Sequence, residues 1–224
     1  MFVVFDSVLP APQVRRLRSA LLRENFSSGA LTAHGDAKRV KNNLQFTSTH
    51  PQWAASAETI LDAVRGCAPL MLHTMPVRMT QPLFNLYSDG MHYGQHTDAA
   101  LMSPGGLPMR TDYSMTLFLS SPEEYEGGEL VFSSIENVPM AAKLAAGSVV
   151  VYPSNTLHEV RPVTKGQRFA AVLWMQSAMP LQQQRVAVQE LDRVRSLLDQ
   201  GKIEDAKERL RLAREDLVRL FAQP

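Results

Sequence analysis

Between Pro10 and Leu22 the apolar residues Val14, Leu17 and Leu21 recur three to four positions apart, with Arg15, Arg16 and Arg18 between them. That spacing puts one apolar stripe on a helix, which starts near Pro12 and ends at the SerSerGly turn of residues 27–29. A second helical stripe follows Pro51, with Trp53, Ala57, Ile60, Leu61 and Val64 on one face up to Gly66. The Lys- and Asn-rich stretch between them, AKRVKNNLQF, shows no period that assigns it. From Arg78 to about Gln176 the period falls to two. Short runs rich in Leu, Phe, Val and Tyr (MTQPLFNLYS, DYSMTLFLS, GGELVFSS, AGSVVVYPS, LHEVRPV and QRFAAVLWMQ) alternate with Gly, Pro, Asp and Ser turns. Their spacing predicts an antiparallel sandwich or barrel with the early helices packed outside it. From Gln182 to Phe221 the period returns to that of a helix. Ala187, Leu191, Val194 and Leu198 precede Gly201, and Ile203, Ala206, Leu210, Ala213, Leu217 and Leu220 then step as a heptad seam. That seam suits a helix hairpin packed on its own chain or a self-association surface joining copies into a homo-oligomer. The chain thus divides into an α+β unit over residues 1–178 and a C-terminal helical extension over 179–224.

Composition narrows the class. At 224 residues, with 45% hydrophobic and 20% charged positions, the chain can bury a sizeable core. A net charge of +1 gives no bulk electrostatic pull toward nucleic acid or an anionic membrane, so neither is expected as a partner. No stretch approaches the roughly 20 apolar residues of a membrane span, and the start MFVVFDSVLP lacks a basic leader. One cysteine, Cys67, excludes an internal disulfide and fits a reducing cytoplasm; it reads as a small buried hydrophobe.

Chemistry concentrates in the β region. His96 and Asp98 are two apart, so on an extended backbone both side chains leave the same face. An H-x-D pair alone is a weak signal. His158 lies 62 residues further on, enough chain for several strands to return to the same place. Two imidazoles and a carboxylate can hold Fe(II) by one face of its octahedron and leave positions open for chemistry. Arg168, ten residues beyond His158, begins an apolar strand that runs inward, where a guanidinium needs an anion to fork onto. On these residues three readings stay open: an oxygenase, a cupin-like metal-binding isomerase or metal sensor without turnover, and an interaction module centred on the C-terminal helices.

Several stretches together resemble the PKHD-type hydroxylases, Fe(II)- and 2-oxoglutarate-dependent dioxygenases related to prolyl and lysyl hydroxylases. They are Thr32–Asn43, Phe84–Tyr87, Tyr93–Ala100, Thr116–Ser120 with Tyr125–Leu130, Lys143–Ser148, Tyr152–Arg168 and Trp174–Ser177, and they extend over nearly the whole chain. The resemblance implies a double-stranded β-helix in which His96, Asp98 and His158 hold the iron and Arg168 binds the distal carboxylate of 2-oxoglutarate. It also implies O₂ as co-reactant, ascorbate as reductant, release of succinate and CO₂, and a link to iron uptake. Ala171, Val172 and Leu173 replace a more aromatic run, a departure on the substrate side. The substrate, a small molecule or a peptide, is not legible.

Tyr87 and Asn85, two apart on one strand face, are candidate cosubstrate-binding residues, and Tyr152 is a further candidate. His92 reads as a lid or surface residue in a glycine-bearing loop, and His34, His50 and His73 as ordinary polar histidines. Residues 100–110, with two Gly and two Pro among apolar positions, form either a lid or a plain connection. Gly127 and Gly128 read as turn glycines at positive φ.

Overall fold

The computed structural model describes residues 2–32, 38–133 and 140–222; His34 lies outside them. Strand β1 (Val3–Phe5) leads through helix α1 (Ala11–Ala20) to β2 (Phe26–Ser28). β3 (Lys41–Asn42) and β4 (Leu44–Phe46) precede α2 (Pro51–Gly66) and α3 (Ala68–Thr74). Strands then follow in succession: β5 (Pro76–Met79), β6 (Leu83–Tyr87), β7 (His92–His96), β8 (Leu101–Met102), β9 (Met109–Arg110) and β10 (Tyr113–Phe118). After these come β11 (Tyr125–Gly127), β12 (Leu130–Phe132), β13 (Met140–Ala142), β14 (Val149–Pro153), β15 (His158–Val160), β16 (Val163–Gly166) and β17 (Arg168–Ser177). Helices α4 (Gln182–Asp199) and α5 (Ile203–Phe221) complete the described chain.

The strands form two main antiparallel sheets. The larger runs β1-β14-β10-β17-β6-β4-β2 with β5 beside β17, and the smaller runs β13-β12-β15-β7-β3. Period-two alternation decides what each face of the larger sheet meets. Met115 and Leu117, Val149 and Val151, and Phe169, Ala171 and Leu173 point outward into one apolar cluster with Val14, Leu17, Ile60, Leu61 and Val64 of α1 and α2. At about 1.5–3 kcal/mol for each fully buried large aliphatic side chain, this layer is what fixes the helices to the sheet. The alternate positions turn inward, where Tyr87, Phe118, Val150 and Tyr152 meet Leu130, Phe132 and Val160 of the smaller sheet. The inner layer is thus shared with polar groups, and that is where the site lies.

Several elements depart from the sequence reading. α1 ends at Leu21, well before residues 27–29, because Phe26 turns back to pack on Phe46 (ring centroids 5.3 Å apart) as β2 pairs with β4. The unassigned Lys- and Asn-rich stretch contains β3 and β4, strands of two and three residues, too short to show a period. α3, a helix of seven residues, follows Cys67 where only a helix end was expected, and Cys67 is half-buried. Gly127 and Gly128 take positive φ (70° and 66°) as the turn pattern predicts; a Cβ on Gly127 would lie 2.1 Å from the Pro162 carbonyl oxygen.

The C-terminal hairpin keeps the small residues of the predicted seam and exposes several of its large ones. Ala206 and Ala213 of α5 are buried, whereas Ile203 and Leu210 are exposed, as are Leu191 and Leu198 of α4. Two alanines one heptad apart let the helices approach closely, so the large seam residues on either side are carried out of the contact. Polar contacts tie α4 to the β unit: Arg185 donates to Asp112 (3.1 Å), which also accepts from Arg110 and the Ser177 amide. Gln189 donates to the Tyr113 hydroxyl (2.7 Å) and to the His73 carbonyl (3.1 Å).

Candidate active site

His96 ends β7 and His158 begins β15, and the two are direct partners in the antiparallel register. Facing residues of adjacent strands point to the same side, so pairing alone brings residues 62 apart into one place, with ring centroids 4.3 Å apart. Asp98 follows by two residues on a segment held by its amide donating to the Ser154 carbonyl (3.2 Å). Nitrogen and oxygen atoms of His96, Asp98 and His158 all lie within 4.8 Å of one another.

Each imidazole is fixed through its other nitrogen. His96 Nδ1 donates to the Gly94 carbonyl (2.8 Å) and His158 Nδ1 to the Thr156 carbonyl (2.9 Å), since a carbonyl can only accept. That leaves both Nε2 lone pairs for the centre. Burial, reinforced by His158, pushes the His96 pKa down to about 4, so this ring is neutral at physiological pH. Tyr93 stacks on His96 at 3.6 Å, and the Ser114 hydroxyl donates to Asp98 Oδ2 (2.5 Å) and to Ser154 Oγ (2.9 Å). Two imidazole nitrogens and one oriented carboxylate, with their second partners in place, suit a divalent transition metal.

The cluster opens on a cavity of about 490 Å³ between the two sheets. β17 supplies one wall, with Arg168 and Trp174 six residues apart on its inner face, roughly 20 Å at 3.3 Å per residue. Arg168 is 2% exposed; its guanidinium carbon lies 5.2 Å from the Tyr87 ring centroid and 5.3 Å from that of Phe118. Its Nε and Nη2 are buried without a hydrogen-bond partner, and no carboxylate among the described residues pairs with it. An uncompensated cation in such a place is strongly unfavourable, which makes this end of the cavity a receptor for an anion.

Tyr87 and Asn85 both line the cavity. Asn85 Oδ1 accepts from Asn43 and Gln45 (2.9 Å each), its amide donates to the Leu83 carbonyl, and the Tyr87 hydroxyl is turned to Asn43. Tyr152 lies deeper, its hydroxyl 3.3 Å from His158 Nε2. His92 stands at the start of β7 rather than in a loop, His50 accepts the Gln52 amide at the start of α2, and His73 is half-buried between Phe5 and Tyr113. Residues 101–110 form a small hairpin of β8 and β9 beside the cavity, which Leu101, Met102 and Ser103 line, and Leu101 and Leu107 are largely exposed.

Sequence reasoning missed Lys41, Tyr93 and Ser114. Lys41 lines the cavity with its ammonium 5.2 Å from the Tyr93 ring centroid; burial draws its pKa down to about 8 against the opposing pull of Asp98. Ser114 carried a signal, a polar residue on the inward phase of an otherwise apolar strand. Lys41 carried none.

The sequence pattern of the 2OG-Fe(II) oxygenase superfamily matches residues 82–176, a span that holds His96, Asp98, His158 and Arg168. Over 227 aligned residues, covering 100% of both chains, this one is 37% identical to a PKHD-type hydroxylase of Saccharophagus degradans. The chain belongs to the PKHD-type hydroxylases. A Pseudomonas putida PKHD-type hydroxylase is 39% identical over 86% of this chain and 85% of its own. Membership makes this hydroxylase an oxidoreductase of the dioxygenase type that uses Fe(II), 2-oxoglutarate and O₂, and it decides against the isomerase and sensor readings. In fold it is similar to a P. putida prolyl-4-hydroxylase (TM-score 0.54, 20% identical, 80% of this chain and 93% of that one). It is likewise similar to a viral collagen prolyl hydroxylase from Paramecium bursaria Chlorella virus-1, solved with 2-oxoglutarate (TM-score 0.55, 17% identical, 80% and 96%). Among the described residues no helix is long and apolar enough to cross a membrane.

Proposed function

We propose that this PKHD-type hydroxylase holds Fe(II) through His96, Asp98 and His158 and grips the distal carboxylate of 2-oxoglutarate with Arg168, in a double-stranded β-helix made by the two facing sheets. The observation that carries it is the buried, unpaired Arg168 guanidinium in the same cavity as the His-Asp-His cluster. With iron, cosubstrate and O₂ bound, the centre supplies oxidative decarboxylation of 2-oxoglutarate to succinate and CO₂ coupled to hydroxylation of a substrate C–H bond. Gly94 and Thr156 keep the two imidazoles in the tautomer that offers Nε2, and Ser114 holds the Asp98 carboxylate in one orientation. Arg168 fixes the direction of the cosubstrate, with Tyr87 and Asn85 along its wall. Leu83, Val172 and Trp174 line the rest with apolar surface that keeps water from the reacting carbon.

The hydroxylated substrate, small molecule or peptide, takes the half of the cavity toward Trp174 and the mouth hairpin. Ascorbate as reductant, a cytoplasmic setting and a connection with iron uptake belong to the same reading and rest on family resemblance. The C-terminal helices 179–224 form a separate extension in it, and the exposed Leu210, Val218 and Phe221 support self-association there.

The test is anaerobic addition of Fe(II) and then 2-oxoglutarate to the purified protein. A weak visible charge-transfer band should appear only with both present and be absent in Asp98→Ala. A protein that binds iron and shows no band with 2-oxoglutarate would refute the assignment.

A further inference from the structure

Lys41 and Tyr93 are direct partners where β3 pairs with β7, so both side chains leave the same side of the smaller sheet. That side is the cavity, which both residues line. The Lys41 ammonium lies 5.2 Å from the Tyr93 ring centroid, and the Tyr93 ring stacks on His96 at 3.6 Å between centroids and 15° between planes. One aromatic ring therefore separates the ammonium from an imidazole of the His-Asp-His cluster. β3 is the edge strand of its sheet and Lys41 is half-buried, whereas Arg168 is 2% exposed. The cavity thus holds two cations, one enclosed and one within reach of solvent.

Charge decides what each can take. Among the described residues that line the cavity, Asp98 is the one carboxylate, and Lys41 and Arg168 are the two cations. A divalent metal and a dicarboxylate cosubstrate cancel each other, which leaves a single carboxylate of the chain against both cations. The loaded cavity accordingly favours one further negative charge, and Arg168 is by then engaged. Burial draws the Lys41 pKa down to about 8 despite the pull of Asp98, so its charge is costly there, and a nearby anion would offset that cost. An ammonium has three N–H donors and can take an incoming acceptor while keeping the contacts that place it. Leu83, Met102, Val172 and Trp174 offer the same molecule apolar surface.

We propose that Lys41 is a specificity-determining residue, its ammonium receiving a carboxylate of the substrate while the substrate's apolar body lies against Val172 and Trp174. The inference rests on the assignment of the metal cluster and of Arg168 to 2-oxoglutarate made above, and it names the substrate class of that site as a monoanionic carboxylic acid.

The experiment uses the full chain loaded with Fe(II) and saturating 2-oxoglutarate under anaerobic conditions, where no turnover occurs. It is titrated calorimetrically with benzoate, phenylacetate, 4-phenylbutyrate and octanoate, and with the primary amide of each, while the visible band reports that 2-oxoglutarate stays in place. In wild type at least one acid should bind about tenfold more tightly than its amide. In Lys41→Met that preference should fall below about twofold, with amide binding and the dissociation constant for 2-oxoglutarate each changed by less than about twofold. Lys41→Arg, which keeps the charge, should restore the preference, and Lys41→Gln serves as the neutral variant if Lys41→Met does not fold. No acid bound by wild type, acids and amides bound alike, or a preference that survives the neutral variant would each overturn the proposal. So would a neutral variant that loses 2-oxoglutarate, since Lys41 would then hold the cosubstrate. A wild type that gives no band with 2-oxoglutarate would remove the parent assignment; a normal band without a preference for acids would remove the role of Lys41 alone.

Discussion

Arg168 is costly to the empty protein, and that cost can be measured. Replacing it by Leu removes an uncompensated buried cation, so the metal-free protein should be no less stable than wild type in thermal unfolding. The same change should weaken 2-oxoglutarate binding by about a hundredfold, the worth of two charge-assisted hydrogen bonds. A guanidinium whose loss both destabilised the metal-free protein and left cosubstrate affinity intact would be a structural residue. Ser114 acts one step further out. Its hydroxyl orients Asp98 and makes no other contact toward the centre than Ser154, so Ser114→Ala should lower Fe(II) affinity about tenfold or more in a metal titration while 2-oxoglutarate still binds at saturating iron. At this scale the sequence was legible where chemistry is written in short spacings. His96 and Asp98 share a face because they are two apart, and Arg168 heads an apolar strand. Ser114 showed only as a polar residue on an apolar strand, and Lys41 was not legible, since each acquires its meaning from a side chain on another segment.

Among elements, α3 and α4 join the β unit at one half-buried imidazole. His73 lies between Phe5 and Tyr113, with Gln189 of α4 hydrogen-bonded to its carbonyl, and burial first, then nearby positive charge including Arg193, lowers its pKa from 6.5 to about 4. The unfolded chain therefore takes up this proton at a higher pH than the folded one. Stability conferred by the neutral ring is complete above 6.5 and is lost as pH falls from 6.5 toward about 4. The thermal midpoint of the metal-free protein should drop across that window, and less steeply in His73→Phe, which keeps an aromatic ring and cannot take the proton. Parallel pH profiles for the two proteins would show that His73 is not the group responsible. The long elements were read well, α2 nearly to the residue, because many turns repeat the same stripe. α5 was read with the right period, and Ala206 and Ala213 of its seam are the buried positions, while the seam's Ile203 and Leu210 stay exposed.

On the scale of the molecule, two sheets carry helices on one outer face and leave a polar interior that a ligand must complete. Iron and 2-oxoglutarate should therefore stabilise the whole fold. At a hundredfold excess over its dissociation constant a ligand adds about 2.7 kcal/mol, which for a chain of this size raises the midpoint by roughly 5–10 °C. Differential scanning under anaerobic conditions should show that rise in wild type with both ligands, and a far smaller one from 2-oxoglutarate with Arg168→Leu. The order of strands, helices first and β region later, was visible in the change of period from 3.6 to 2. Which strands would be neighbours was not, because β17 lies between β10 and β6 and β15 beside β7 through pairings that bridge long stretches of sequence.

The guanidinium of Arg168 is buried in the cavity wall, while Leu101, Met102 and Ser103 of the exposed β8–β9 hairpin line the same cavity. Whatever seats itself first beside that hairpin stands in the path of a molecule bound for the interior. On the assignment of Arg168 to 2-oxoglutarate, the expected order is five-carbon acid before target, and an excess of target should slow the enzyme by queueing ahead of its own oxidant supply.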